Sequence, residues 1–322
     1  MTNRFENRVF VIDKAIGPTS FDIVAAMRRV TGLRKVGHAG TLDPLARGVL
    51  LVCTGTATRA VEHFMDLEKE YQFDVRLGVE TTTLDAEGDV VREAPVPEGL
   101  TRELLNTAAA SFVGPYAMTP PAYSAIKRKG RRHYELARAG EEAPVEPRQV
   151  TIYGFEVLAV ELPLVRCVVR CSRGTYVRSL ARDFGARLGL PASLTTLART
   201  RIGAFAIEDA FPSEKLLPDG PEQPAGLALE DALSFLPGVV ITERAGRMLQ
   251  FGMSPLRQDV VETIGSPRHG AMRVLGEDGT LLAVGTRDSE RPRDPLRICD
   301  SFRLYVESAG SAPASARPRV EG

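Results

Sequence analysis

The chain has 322 residues, 43% of them hydrophobic, which is enough to bury a full core and leave room for a second, smaller domain. Its 41 basic and 41 acidic side chains cancel, so no overall basic excess marks a nucleic-acid binder, and no apolar run reaches the roughly 18 residues of a membrane span. Four scattered cysteines (Cys53, Cys167, Cys171, Cys299) argue against a disulfide framework, and with a polar N-terminus they lead us to expect a soluble, unprocessed protein of a reducing cytoplasm.

In chain order, the apolar residues 9–12 predict a strand. The turn Gly17-Pro18-Thr19-Ser20 then offers hydroxyl caps to a helix over 21–30. Residues 38–44 read as a loop, and the apolar run 45–54 is too short for its type to be assigned. From Glu70 the pattern alternates strictly, with Tyr71, Phe73, Val75 and Leu77 on one face and Gln72, Asp74 and Arg76 on the other, as in a half-buried strand. Residues 79–91 carry the turn formers Asp85, Gly88 and Asp89. Val165, Cys167, Val169 and Cys171 alternate too, which puts both cysteines on a core face and Arg166 and Arg170 on the other. Gly174 leads into a helix with the apolar stripe Val177, Leu180, Ala181, Phe184 and Leu188, stopped by Gly189.

Two stretches stand apart. Residues 119–147 open with Pro120-Pro121, carry the basic run Lys127-Arg128-Lys129-Gly130-Arg131-Arg132 and close with a short helix ending at Gly140, as a mobile basic lobe would. Residues 212–226, rich in Pro, Gly and acids, resemble a linker. Beyond them, 239–304 holds short apolar runs between Gly and Asp turns, a small and mainly β module, and the Ala/Ser/Pro-rich end from Ser308 is expected to be disordered.

The zero net charge hides an uneven distribution. Residues 166–205 contain eight arginines against the single acid Asp183, whereas residues 206–238 contain seven acids and one lysine. We therefore expect one basic face, rich in the side chain best suited to phosphate.

No Walker loop, dinucleotide fingerprint, zinc ligand set or nucleophile elbow is present, so the chemistry must rest on carboxylate, phenol or arginine. The densest unusual segment is Gly37-His38-Ala39-Gly40-Thr41-Leu42-Asp43-Pro44-Leu45-Ala46, with two glycines beside an acid. On spacing alone, Asp43 before Pro44 reads as a helix N-cap with proline at the first helical position.

The segment GHAGTLDPLARGVL resembles the signature of the TruB family of tRNA pseudouridine synthases, and four further segments resemble that family in order: Lys69-Glu70-Tyr71-Gln72, Leu84-Asp85-Ala86-Glu87-Gly88-Asp89, Thr119-Pro120-Pro121-Ala122-Tyr123-Ser124-Ala125-Ile126-Lys127 and Cys171-Ser172-Arg173-Gly174-Thr175-Tyr176-Val177-Arg178. Ala15 departs from the proline common there after Asp-Lys.

The resemblance implies an α+β fold. A mixed-sheet pseudouridine synthase domain over 1–235 would carry a thumb-like insertion at 119–147 and a linker-like stretch at 212–226. A PUA-like domain over 239–306 and a tail at 307–322 would follow. It also implies isomerisation of uridine to pseudouridine at position 55 in the T loop of tRNA, on a flipped nucleotide. Asp43 would act as nucleophile at C1′ or as base at C2′, Arg178 would pair with it, and Tyr71 would stack on the uracil or take the C5 proton. Leu197 and Tyr176 would pack by the base and His38 would fill the gap it leaves, while Lys127, Arg128, Arg132, Arg166 and Arg170 would hold phosphates. No metal or organic cofactor and no obligate protein partner is expected, and the chain should act as a monomer. Two other readings stay open: a synthase for another structured RNA, and a non-catalytic tRNA-binding or chaperone protein.

Overall fold

The structure, a computed structural model, describes residues 3–121, 127–128, 131–132, 146–251, 253–265, 270–287 and 298–299. Its first strand, β1 (Arg8–Lys14), leads to α1 (Ser20–Thr31), which begins at a reciprocal capping box between Thr19 and Asp22 and ends at left-handed Gly32. Next come β2 (Val36–Ala39) and β3 (Ala46–Thr54). The unassigned apolar run is thus a strand, and its buried residues do not alternate because both of its faces are covered.

Helix α2 (Val61–Met65) precedes β4 (Lys69–Leu77), in which every odd-numbered residue is buried as the alternation predicts. The chain continues through β5 (Val79–Thr81), β6 (Val90–Glu93), α3 (Arg102–Ala110), β7 (Gly114–Met118) and a backbone hairpin of β8 (Lys127–Arg128) with β9 (Arg131–Arg132). After it come β10 (Arg148–Glu161), β11 (Leu164–Cys171), α4 (Val177–Arg187), β12 (Ala192–Ile202), β13 (Phe205–Ala206) and β14 (Phe211–Pro212).

The main sheet has the order β14-β1-β3-β12-β4-β11-β10-β7, with β2 hydrogen-bonded to β3 and β13 to β12. It is mixed, because β12 runs parallel to β3 and antiparallel to β4. The fold is therefore α+β, as expected. One core cluster joins β4, β10, β11 and β12 to α3 and α4, and a second joins β1 and β3 to α1. In the first, Phe73 is 1% exposed with its ring centroid 5.7 Å from that of Phe155, and truncating such a side chain to alanine costs about 3–5 kcal/mol.

Two compact units, Met1–Gly226 and Leu227–Gly322, divide the chain. The Pro/Gly/acid-rich stretch lies in the first unit and sends Leu216 into the core beside α1. The second unit holds β15 (Leu227–Ala228), α5 (Leu229–Ala232), β16 (Gly238–Ile241), α6 (Glu243–Gln250), β17 (Val260–Ile264), β18 (Ala271–Leu275), β19 (Leu281–Arg287) and β20 (Ile298–Cys299). Its sheet runs β17-β16-β18-β19-β20 over a core of Val239, Ile241, Ala245, Met272, Val274 and Ala283. A small β module is present there, as its turn-punctuated sequence suggests. The helix ending at Gly140 and the tail from Ser308 lie outside the described residues.

Candidate active site

The position of β12 between β3 and β4 sets the site. Arg199 on β12 lies opposite Gly48 on one side and Tyr71 on the other, so three distant segments meet in one row across the sheet. The strands approach closely because position 48 has no side chain: its φ is 111°, and a Cβ there would lie 2.2 Å from the Arg199 carbonyl oxygen. Arg199 is 1% exposed. Its Nε donates to the Val49 carbonyl (2.7 Å), its Nη2 donates to the Gly40 carbonyl (3.0 Å), and its positive charge acts on the Tyr71 phenol.

Asp43 occupies the loop between β2 and β3, and that loop is fixed from several directions. Ser20 Oγ, at the start of α1, accepts from the Leu42 amide (2.8 Å) and donates to the Leu42 carbonyl (3.1 Å). The Gly17 amide donates to the Pro44 carbonyl (2.9 Å). Beneath, the fully buried Lys14 sends its Nζ to the carbonyls of Ala15 (2.9 Å), Pro18 (2.8 Å) and Pro44 (3.5 Å). No helix follows Pro44. The Ala46 amide returns to the Asp43 carbonyl (3.1 Å) and β3 begins there, so the capping reading of Asp43 is corrected.

With that loop held, Asp43 Oδ2 lies 2.9 Å from Arg178 Nε, the side chains being 37% and 8% exposed respectively. Arg178 sits in the first turn of α4, where the helix dipole adds positive potential. Its other edge meets a second loop, between β5 and β6: Nη1 donates to the Thr83 carbonyl (3.1 Å) and lies 3.5 Å from Asp85 Oδ2. Asp85 is 4% exposed, and its Oδ1 accepts from the Thr83 hydroxyl and from the Glu87 amide (3.1 Å). One buried guanidinium thus joins two carboxylates from two loops.

Tyr71 and Leu197 belong to the same core cluster as Leu42 and Ala46, which flank Asp43, and Tyr176 at the N-cap of α4 packs against it. Burial pushes the Tyr71 phenol above its ordinary value, so it is neutral at physiological pH. His38 stands on β2 with Nδ1 buried and unpartnered, and burial followed by the Arg199 charge lowers its pKa, which favours the neutral imidazole. Among the described residues no group of three or more His, Cys, Asp or Glu is arranged to hold a metal ion, and no helix is long and apolar enough to cross a membrane.

The expected basic face is not a single surface. Of the eight arginines between 166 and 205, Arg166 pairs with Asp74 (2.9 Å), Arg170 with Glu68 (3.5 Å), Arg173 with Glu62 (2.8 Å) and Asp66 (3.1 Å), and Arg182 with Asp183 (2.8 Å). Arg178 and Arg199 are buried in the site. Acids on α2, on β4 and just ahead of β4 neutralise part of the stretch, which a count along the sequence cannot register, and Arg187 and Arg201 form no ion pair among the described residues. Arg166 and Arg170 project from the sheet face opposite Tyr71. Lys127, Arg128 and Arg132 lie on the β8–β9 hairpin, and their side chains lie outside the described set. Two residues gained here had no assigned role: Asp85 stood as a turn former within a family-like segment, and Arg199 as one arginine among eight.

The geometry can be set beside known proteins. Residues 28–177 match the family described as TruB family pseudouridylate synthase, N-terminal domain. A protein of Syntrophotalea carbinolica named tRNA pseudouridine synthase B is 37% identical over 307 residues, 95% of this chain and 100% of that one. Its namesake in Mycobacterium sp. (strain KMS) is 42% identical over 280 residues, 84% of this chain and 92% of that one. Among solved structures, a chain of a Cbf5-Nop10-Gar1 complex superimposes with a TM-score of 0.70 at 26% identity, over 92% of this chain and 85% of that one. Identity of this order along nearly the full length of both chains leaves one assignment: the chain belongs to the TruB family of pseudouridylate synthases.

Proposed function

We propose that this enzyme isomerises a uridine of tRNA to pseudouridine, acting on position 55 in the T loop with the target nucleotide flipped into the Asp43 site. The observation that carries the reading is the carboxylate of Asp43: one edge is held 2.9 Å from a buried guanidinium while over a third of the side chain stays open to an incoming ribose. The relatives named tRNA pseudouridine synthase B support tRNA as the substrate.

The reaction is an isomerisation, so its atoms balance without a co-reactant. The N1–C1′ bond breaks, C5 bonds to C1′, the C5 proton leaves and N1 ends protonated. Asp43 begins it either by bonding to C1′ as N1 departs with its electron pair or by taking the C2′ proton. Arg178 fixes the carboxylate through a charge-assisted hydrogen bond and leaves its other oxygen to react. Tyr71 stacks on the detached uracil, with Leu197 and Tyr176 packing beside it, and His38 fills the vacated stack. Because the Tyr71 phenol is neutral, its oxygen removes the C5 proton only by giving up its own.

Lys127, Arg128 and Arg132 hold phosphates on a thumb-like insertion, whereas Arg166 and Arg170 do so only by exchanging Asp74 and Glu68. The second unit acts as a PUA-like RNA-binding domain, and the enzyme works as a monomer in the cytoplasm without metal or cofactor.

The test is to incubate the purified protein with a tRNA transcript and map pseudouridine by base, alongside a transcript with cytidine at position 55. Modification at that position alone, abolished in the cytidine transcript, is expected. Modification elsewhere, or in unrelated structured RNA at equal rate, would sink the T-loop assignment.

A further inference from the structure

Of the eight arginines that look basic in sequence, four are ion-paired, two are buried in the site and two, Arg187 and Arg201, form no ion pair among the described residues; a denser group of unpaired cations lies elsewhere. Between Ile23 and Leu42 the chain has no acid at all, but it has Arg28, Arg29, Arg34 and Lys35. All four are exposed: two on the C-terminal half of α1 and two in the turn that joins α1 to β2. None of them forms an ion pair among the described residues, in contrast to the arginines of β11 and the start of α4. Arg28 is held in place all the same. Its guanidinium carbon lies 5.7 Å from the centroid of the exposed Phe21 ring and its Nη2 donates to the Val36 carbonyl (3.3 Å). A guanidinium that is already fixed and only weakly hydrated gives up little when it binds an anion.

The segment that carries this patch meets the Asp43 loop at both of its own ends. The first residue of α1, Ser20, is bonded to Leu42, and from Lys35 the chain runs directly into β2 and His38, three residues or about 10 Å further on. Arg28 lies eight residues, about 12 Å of helix, beyond Ser20, within the span of an RNA whose nucleotide enters the Asp43 site. Four unpaired cations without one acid among them complement a run of phosphates and nothing apolar.

We infer that the outer face of α1 and the α1–β2 turn, through Arg28, Arg29, Arg34 and Lys35, hold the phosphodiester backbone of the substrate RNA beyond the flipped nucleotide. The inference rests on the proposed RNA-modifying reaction but is separable from it. The interactions are with phosphate, so they supply affinity and register without reading sequence.

The experiment measures tRNA affinity of the full-length protein as a function of salt, together with single-turnover pseudouridine formation. The variants are Arg28→Gln/Arg29→Gln and Arg34→Gln/Lys35→Gln. A control pair, Arg92→Gln/Lys215→Gln, removes as many charges from residues that pair with Glu80 and Glu222. Removing one cation that binds a phosphate should flatten the slope of log affinity against log salt by about 0.7–0.9. Each patch variant is expected to bind at least about tenfold more weakly near 0.1 M salt with a slope shallower by more than one such step. The control is expected to keep the parent slope. All are compared at equal thermal midpoint, so that unfolding cannot imitate weak binding. Patch variants with parental affinity and slope would overturn the inference, and so would a fall in saturating rate at parental affinity. A parent enzyme that binds tRNA but forms no pseudouridine would refute the proposed reaction and leave the salt measurement to decide on the surface.

Discussion

Asp43 and Asp85 approach one guanidinium from two loops that are built differently. The Asp43 loop is fixed through its main chain, by Ser20, Gly17, Lys14 and Arg199, which leaves the carboxylate itself 37% exposed. In the Asp85 loop the side chain itself is the anchor: one oxygen is taken up by Thr83 and Glu87, the other faces Arg178, and 4% of the side chain is exposed. A strained backbone completes that anchor, since Leu84 is buried at φ 63°, where a leucine is seldom found. Equal charge and a shared partner therefore do not mean equal roles. The carboxylate with open lone pairs can react, and the saturated one can only set the position of the cation.

The hardest test of that contrast is Asp43→Asn. The amide keeps the shape but can neither attack C1′ nor take a proton, so single-turnover pseudouridine formation should vanish. Affinity for tRNA should stay within about 1.4 kcal/mol, a factor of ten, because phosphate contacts carry most of it. Measurable turnover would return Asp43 to a purely structural place in its loop.

Arg178→Lys comes next. An ammonium on a flexible stem cannot meet Asp43, Asp85 and the Thr83 carbonyl together as the planar fork does. Loss of one aligned donor at a reacting oxygen costs roughly 100- to 1,000-fold in rate. We expect a fall of that size in the saturating rate, and a rate within threefold of the parent would remove Arg178 from contact with the reacting group.

A smaller loss, on the order of tenfold in rate, is expected for Asp85→Asn. Stability should suffer more clearly: the new amide keeps one acceptor oxygen and turns its NH2 either on Arg178 or on Thr83 and Glu87, a mismatch worth about 1–3 kcal/mol for a buried group. Urea unfolding beside single-turnover kinetics separates the two readouts. If Asp85→Asn lost as much rate as Asp43→Asn at parental stability, the two carboxylates would have to be treated as one reacting unit.

What the sequence discloses about these loops follows the range of the interactions. The alternation from Tyr71 to Leu77 and the stripe from Val177 to Leu188 are local patterns, and both elements form where periodicity places them. Asp43 before Pro44 is a local pattern too, but here it misleads, because the loop is decided by Ser20, Lys14 and Arg199 and not by the next four residues. Arg199 reaches Gly40 across 159 positions and Arg178 reaches Thr83 across 95, distances at which no spacing rule operates. The arginine count over 166–205 fails for the same reason: β4 brings Asp74 opposite Arg166 on the neighbouring strand. Motif resemblance located the Asp43 segment, but only the register of β3, β12 and β4 explains why its loop is rigid.

The weakest expected effect concerns what lies under the Asp43 loop. Lys14 is fully buried, and burial lowers its pKa from 10.5 to about 8, against a raising influence of Asp43. Lys69, which donates to the Met65 and Leu67 carbonyls after α2, is lowered to about 8 chiefly by burial as well. Below pH 8 both amines are charged in the folded and unfolded chain alike. Between about 8 and 10.5 the folded protein has released protons that the unfolded chain still binds, so the free energy of unfolding rises with pH across that window, by at most about 1.4 kcal/mol per pH unit for each lysine. Lys14→Met should remove one of the two contributions and Lys69→Met the other, measured by urea unfolding at pH 7.5, 8.5 and 9.5. The two variants should differ in catalysis, because Lys14, and not Lys69, donates to the Pro44 carbonyl beside Asp43. A few-fold loss of single-turnover rate in Lys14→Met, well above that in Lys69→Met, would tie the buried amine to the reacting carboxylate through the loop backbone. Equal rates in the two variants would mean that Ser20, Gly17 and Arg199 hold the Asp43 loop without it.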